Sequence, residues 1–354
     1  MDRRTLLKAG LATPAASLVL PVSESFMMSA DARPRRGSTL ARNLKVPWGI
    51  VFLPGGNALV SERETGRILK VRKNGSGYRS VGRVPGVFRG PGEGGLLGLA
   101  LHPNFRRNRW LYAFMTTNVD NRIVRMKYVN GRIGRPRVIL KGIPAAEHHN
   151  GGGLAFGPGG MLYASTGDAE NSGSAQNRRS RAGKILRMTP RGRVPRGNPF
   201  NNYTWSFGHR NPEGITFGPH GTLWASEFGE KGSDELNRIV KRHNYGWPRV
   251  EGRDGPGGFH DPLARWDTDA CSPSGVAVLA GRAWLGALQG ECLWSVRLSG
   301  RHKGLKRRYF TGDFGRIRSV ATAPDKSLWI MTSNNDGRAN PGRTDDRIIR
   351  IRVG

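Results

Sequence analysis

From about residue 48 to its end the chain repeats one pattern of apolar and polar positions. A short run of apolar and small residues (WGIVF, LGLAL, GGLAF, EGITF, SGVAV, RSVAT) leads into a turn and a second apolar run. A loop follows, then a third run in which basic and apolar residues alternate (GRILKV, NRIVRMKY, GKILRM, DRIIRI). Short runs of this kind predict strands, and no helical periodicity is sustained beside them. The turns Pro54-Gly55-Gly56, Pro158-Gly159-Gly160, Pro219-His220-Gly221 and Pro324-Asp325-Lys326 use proline to preset φ, usually with Gly or Asp beyond it. They place second strands at Ala58–Glu62, Met161–Ser165, Thr222–Ser226 and Ser327–Thr332. A unit of three or four strands recurring every 45–60 residues or so marks propeller blades. Six copies fill residues 39–354, so the predicted fold is an all-β, six-bladed β-propeller. The stretch TLARNLKV (39–46) has no partner in its own unit and is expected to join the last blade, closing the ring and removing two exposed edges. Propellers carry function on loops at the axial channel, yet the fold alone implies no chemistry.

Composition agrees with many strands joined by many turns: 51 Gly and 22 Pro in 354 residues, with 37% hydrophobic content still enough for a core at this length. The charge is extreme, 57 Lys+Arg against 26 Asp+Glu for a formal +31, and 45 of the basic residues are arginine. Such a surplus raises nucleic acid as a partner. The basic residues are scattered through every segment, however, and no helix-turn-helix, zinc-finger or RNA-recognition signature occurs; a solvated basic surface is the simpler reading. Two cysteines, Cys271 and Cys292, cannot make a structural zinc site alone. They are either two buried thiols or, in an exported protein, a pair closing a loop of about 20 residues and contributing roughly 3 kcal/mol.

The first 32 residues read differently. MDRRTLLKAGLATPAASLVLPVS joins paired arginines to an interrupted Ala/Leu/Val stretch too short to span a bilayer, and Ala30-Asp31-Ala32 offers a cleavage site. A removable twin-arginine signal over 1–32, a linker over 33–38 and export to the cell envelope or beyond are expected. No other segment reads as transmembrane.

Five loops hold the candidate chemistry: GEGGLLGLALHP (92–103), EHHNGGG (147–153), GHRNPEG (208–214), EFGEKGSDELN (227–237) running on to HNYGWP (243–248), and GRIRSV (315–320). His148 and His149 point to opposite faces of an extended chain, which makes them poor joint metal ligands; one of them facing the channel as a general base is the better alternative. Arg316 and Arg318 lie two apart on a strand and can face one ligand, as suits a compound with several carboxylates or phosphates, although a solvated arginine face fits equally well.

In this order and spacing, the loops resemble the soluble quinoprotein sugar dehydrogenases, the pyrroloquinoline quinone (PQQ)-dependent glucose, aldose sugar and sorbosone dehydrogenases, over nearly the whole chain beyond the leader. The resemblance implies that His149 is the catalytic base, taking the proton of the anomeric hydroxyl while hydride passes from sugar C1 to the quinone. It implies that Arg210 and Asn211 stabilise charge developing at the reacting quinone oxygen, and that Arg316 and Arg318 hold cofactor carboxylates. The glycines behind His149 would let the backbone pass close to a flat ring. A calcium ion bound to the cofactor would take the backbone carbonyls of Gly229 and Glu230, and a second calcium Glu235 and the carbonyl of Tyr245.

Three positions depart from the family pattern. Glu93 stands where the family often has Gln near the cofactor, Gln289 where a lysine is expected, and Glu230 where a proline is expected. The first two make the cofactor pocket less positive by about two charges, a loss on the order of a few kcal/mol at low local dielectric. The implied activity is oxidation of aldoses at C1 to lactones, with electrons passing to an external acceptor. The alternative is a propeller that has lost the cofactor and binds glycans or anionic polymers.

Overall fold

The computed structural model describes residues 33–354 apart from 254 and 256; the expected signal segment 1–32 lies outside the described residues. The described chain forms six antiparallel sheets of four strands each, the second carrying a short extra strand, Arg132–Ile133. This is the six-bladed β-propeller that the repeats predict. The innermost strands, in blade order, are Pro47–Phe52, Leu96–Leu101, Leu154–Phe156, Asn211–Phe217, Pro273–Leu279 and Ile317–Thr322. The second strands begin within a residue of expectation, for example Leu162–Thr166 and Leu328–Thr332.

Closure follows the expected route with a shifted boundary. The first strand, Pro34–Ala41, pairs antiparallel with Ile348–Val353 and becomes the outermost strand of the sixth blade, from Pro34 opposite Val353 to Ala41 opposite Ile348. Residues 34–38, expected as linker, are therefore part of this strand. Without it Ile348–Val353 would be an edge with its N–H and C=O groups unpaired on one side, and Pro34–Ala41 fills that ladder.

The apolar interior is divided among the seams. Six clusters of buried side chains lie between successive blades. One joins Leu59 and Ile68 of the first blade to Leu99 and Val124 of the second; another joins Ala58 and Val60 to Trp329 and Met331 across the closing seam. The inner strands approach closely enough at these seams to exchange hydrogen bonds. Ser61 Oγ accepts the Gly49 N–H (2.8 Å) and donates to the Leu97 carbonyl of the next blade (2.6 Å). Ser165 repeats the device between Gly153 N–H (2.9 Å) and the Glu213 carbonyl (3.1 Å), and Ser226 between Gly214 N–H and the Ser274 carbonyl. Ser319 Oγ donates to the Trp48 carbonyl across the closing seam (2.5 Å). A Cβ at Gly153 would stand 2.3 Å from the Glu213 carbonyl oxygen, and one at Gly214 2.4 Å from that of Ser274. The glycine in each GLAF- or GITF-like run is thus a spacing requirement.

Cys271 and Cys292 are two free, buried thiols in the fifth-blade region, and burial pushes Cys292 up to about 12. The basic excess is spread around the perimeter, where Arg125 and Lys127 cover Trp110, Arg187 and Lys241 cover Trp205, and Arg350 covers Trp329. Among the described residues no helix is long and apolar enough to cross a membrane.

The seam geometry makes a stability prediction. Gly153→Ala should destabilise the fold by about 1–3 kcal/mol, whereas Gly55→Ala, with no atom within 4 Å of the added Cβ, should melt close to wild type. Equal melting temperatures for both variants would contradict the spacing argument.

Candidate active site

In an antiparallel blade the second strand returns toward the end where the innermost strand began. The segments leading into the inner strands therefore share one end of the propeller with the loops that follow the second strands. At that end lies a cleft of about 440 Å³ whose walls include Glu93, His148, His149, Arg210, Gly229, Glu230 and Gln289, seven of the residues singled out in the sequence, drawn from four blades. The axial channel, about 360 Å³, is lined mainly by glycine and apolar residues of the inner strands, with Glu213 as its one acidic wall residue. The titratable groups gather at the cleft.

His149 is the best-defined of them. Its backbone is left-handed (φ 56°), its N–H donates to Glu93 Oε2 at 3.0 Å, and its Nδ1 lies 2.8 Å from Asp168 Oδ1. Asp168 is buried and its other oxygen accepts the indole N–H of Trp247 at 2.8 Å, while its own N–H donates to the Arg210 carbonyl at 2.7 Å. A carboxylate on Nδ1 holds the proton there and leaves Nε2 as the basic nitrogen. His148 turns away to the rim, its Nδ1 2.7 Å from the exposed carboxylate of Glu170. The two histidines thus part company, by way of a bend and the left-handed backbone of His149 and not the extended chain expected from the sequence. The glycines behind them are occupied by the protein itself: a Cβ at Gly151 would meet the Thr166–Gly167 backbone at 2.7 Å, and one at Gly152 the Leu97 side chain at 2.7 Å. Gly151 thus packs on the second strand of its own blade and Gly152 on the neighbouring blade, and neither clears room for a ring.

Arg210 is fixed through its main chain, its N–H donating to Glu227 Oε1 at 2.6 Å, while its guanidinium lies over the Trp247 ring at 5.4 Å. Arg210 Nε is buried without a hydrogen-bond partner, and so is Nδ2 of Asn211, whose Oδ1 accepts the Gly151 N–H at 3.0 Å. Two buried donors left open beside the cleft are a costly arrangement unless a ligand completes them.

Arg316 and Arg318 do not line the cleft. They stand at the mouth of the channel, buried and already paired: Arg316 Nε and Nη2 with Asp336 Oδ2 (3.2 and 3.1 Å), Arg318 Nη1 with Glu213 Oε2 (2.7 Å). Burial raises the Glu213 carboxyl above its usual range in spite of Arg318. Arg318 Nε remains buried and open.

Glu235 and Tyr245 lie apart from the cleft. Glu235 accepts the Gly252 N–H (2.6 Å) and Asn237 Nδ2 (2.8 Å), and the same amide donates to Glu227 (3.1 Å). Burial and the neighbouring Glu227 push Glu235 up to about 8. Asn237 Oδ1, between these carboxylates, is buried without a partner. The Tyr245 ring stacks on His209 at 4.5 Å. Among the described residues no three His, Cys, Asp or Glu side chains are arranged as a metal cluster. Gly229 and Glu230 form part of the cleft wall, beside Asp234, which burial raises to about 7 against the N–H groups of Ser272 and Gly229 and the nearby Arg210.

Reading the loops one at a time misses Asp168, Trp247, Asp336 and Arg338. Asp168 and Asp336 follow second strands, as do Gly229 and Gln289, so the blade topology itself was the available signal: in blades three to six the chain just past the second strand lies at the cleft end.

Comparison with known proteins gives the geometry a context. The sequence pattern of the glucose/sorbosone dehydrogenase family matches residues 44–348. The chain is similar to the PQQ-bound aldose sugar dehydrogenase of Streptomyces coelicolor, with 44% identity, 91% of this chain and 98% of that one covered, and a TM-score of 0.88. It is 28% identical to the aldose sugar dehydrogenase YliI of Escherichia coli over 84% of this chain and 90% of that one. It is 29% identical to the quinoprotein glucose dehydrogenase B of Acinetobacter calcoaceticus over 77% of this chain, spanning 65% of that protein's length.

The Asp168 contact can be checked without turnover. Nitrogen-15 NMR of histidine-labelled protein should find neutral His149 protonated at Nδ1, and Asp168→Asn should abolish that preference. A wild-type ring protonated at Nε2 would contradict the assignment.

Proposed function

The chain belongs to the glucose/sorbosone dehydrogenase family, and on that premise we propose that it is an exported, PQQ- and calcium-dependent enzyme oxidising aldose sugars at C1 to lactones. The observation that carries this reading is His149, whose Nδ1 is committed to buried Asp168 while the ring forms part of a cleft with open buried donors beside it. When bound, the quinone supplies an acceptor for the two electrons that leave the anomeric carbon as hydride.

The protein's own residues supply the remainder. His149 Nε2 takes the proton of the anomeric hydroxyl, and Asp168 stabilises the imidazolium that results. Asp168 is itself oriented by the Trp247 indole, whose N–H it accepts. Arg210 and Asn211 offer donors already buried and in place before charge develops, so little reorganisation accompanies the reaction. The residues fit a planar, acidic ligand rich in oxygen: the open Nε of Arg210 and the open Nδ2 of the adjacent Asn211 each gain a partner when oxygen atoms reach them. Gln289 contributes a neutral donor to the same wall. The carboxylate-holding role of Arg316 and Arg318 is exercised through guanidiniums partly spent on Asp336 and Glu213.

Calcium is assigned in two places. The carbonyl oxygens of Gly229 and Glu230 suit a hard cation at the cleft wall, and Glu235 with the Tyr245 carbonyl forms the second site, where the open Asn237 Oδ1 is a further oxygen. A cation there would relieve two neighbouring buried carboxylates. The segment 1–32 is assigned to twin-arginine export, and the electrons leave to an external acceptor. The paired His149 and Asp168 and the open donors argue against a cofactor-free binding propeller.

Apoprotein supplied with PQQ and calcium should reduce an artificial dye when given an aldose panel; neither bound-quinone absorbance nor dye reduction would sink the proposal. His149→Ala should lower kcat by about 10²- to 10⁴-fold with the quinone still bound, and His148→Ala far less; equal losses would overturn the assignment of His149 as the base. Glu235→Gln should abolish the rise in melting temperature produced by calcium, and an unchanged rise would remove Glu235 from the metal site.

A further inference from the structure

Resting on the cofactor reading above, we propose that Arg338 is the residue that recognises the acidic ligand at the cleft, and that Glu93 is its resting partner in the ligand-free protein. Arg338 lies in the loop after the strand Leu328–Thr332 of the sixth blade and forms part of the cleft wall opposite the segment that carries Glu93. Its side chain is 49% exposed and makes one ion pair, from Nη1 to Glu93 Oε1 at 3.2 Å.

The turn that displays Arg338 is built on a buried group. The Arg338 N–H donates to Asp336 Oδ1 at 3.1 Å, and Asp336 Oδ2 is held by Arg316 and by Ser333 Oγ at 3.2 Å. The backbone is anchored and the guanidinium is not. The neighbouring cations are in the opposite condition. Arg210 lies against Trp247, while Arg316 and Arg318 are buried on carboxylates. A ligand bearing several carboxylates also meets Glu93, Glu230, Asp234 and Asp269 in the same walls, so it needs a cation free to move toward it.

A half-exposed single-contact ion pair is weakly held, and a guanidinium gains more from a two-pronged contact with a carboxylate. Exchange of Glu93 for a ligand carboxylate is therefore favourable for Arg338. Glu93 is not left unpaired by the exchange, because its other oxygen keeps the His149 N–H. Burial opposes the charge of Glu93, but that N–H together with Arg318 and Arg338 holds its carboxyl below the usual range. The negative charge at position 93 is thus answered by a positive one from the sixth blade, 245 residues away in sequence.

The test is a binding titration, independent of turnover. Apoproteins of wild type, Arg338→Gln, Arg338→Lys and Glu93→Gln are titrated with PQQ at two salt concentrations, read by quinone absorbance and tryptophan fluorescence, with melting temperatures as a fold control. Arg338→Gln should raise Kd by about tenfold or more and flatten its salt dependence, with an unchanged melt; Arg338→Lys should fall between. Glu93→Gln, which keeps an acceptor for His149, should lower Kd. A wild-type Kd and salt slope for Arg338→Gln would overturn the proposal, as would Glu93→Gln weakening binding as much as Arg338→Gln. Wild type that takes up no quinone would instead overturn the cofactor reading, and this proposal with it.

Discussion

Six inner strands share one axis here because each seam is closed by backbone, with almost no side-chain volume at the point of nearest approach. The Gly49–Ser61–Leu97, Gly153–Ser165–Glu213 and Gly214–Ser226–Ser274 contacts are the same arrangement in three seams, and Ser319 closes the ring on Trp48. The serine satisfies an N–H and a carbonyl that would otherwise be buried unpaired, which is how so many short strands crowd an axis without a polar penalty. The radius set by these contacts fixes the distance between the segments leading into neighbouring blades. The active site inherits its dimensions from that spacing.

The latch and the chemistry meet in the third blade. Gly153 and Ser165 form part of the seam to the fourth blade; His149 lies in the segment leading into the inner strand and Asp168 in the loop just past the second strand. The histidine is thereby held against its carboxylate by the register of the blade's two inner strands, Leu154 opposite Ala164. Trp247 reaches Asp168 from the loop of the fourth blade, so the string Trp247–Asp168–His149 crosses a seam and is as rigid as the seam. Preorganisation of this kind is what a base acting on a weakly acidic hydroxyl needs.

How much of this was legible in the sequence depended on whether the signal was local. Strand period, the Pro-Gly turns and the recurring glycine are local, and the six blades and the closing strand follow from them; that strand runs Pro34–Ala41 where 39–46 was expected, because PRRG looks like linker until Ile348–Val353 offers it a ladder. His149, Arg210 and Gln289 were legible because their loops keep a recognisable order. Asp168, Asp336 and Arg338 were not, since each owes its role to a partner on another strand or another blade. Arg316 and Arg318 show the same limit from the other side: their spacing on one strand was readable, while the carboxylates of Asp336 and Glu213 that occupy them were not. Glu93 looked like an uncompensated negative charge for the same reason.

On the proposed reading, a sugar bound in this cleft gives its anomeric hydroxyl proton to His149 and the hydride of C1 to a quinone beside it. Anaerobic rapid mixing of the quinone-loaded protein with an aldose, following the cofactor spectrum through a single turnover, tests this most directly. The account predicts reduction of one quinone per chain, slowed when the sugar carries deuterium at C1. A cofactor spectrum unchanged by every aldose tried, or a reduction with no sensitivity to deuterium at C1 when bond cleavage limits the rate, would contradict it.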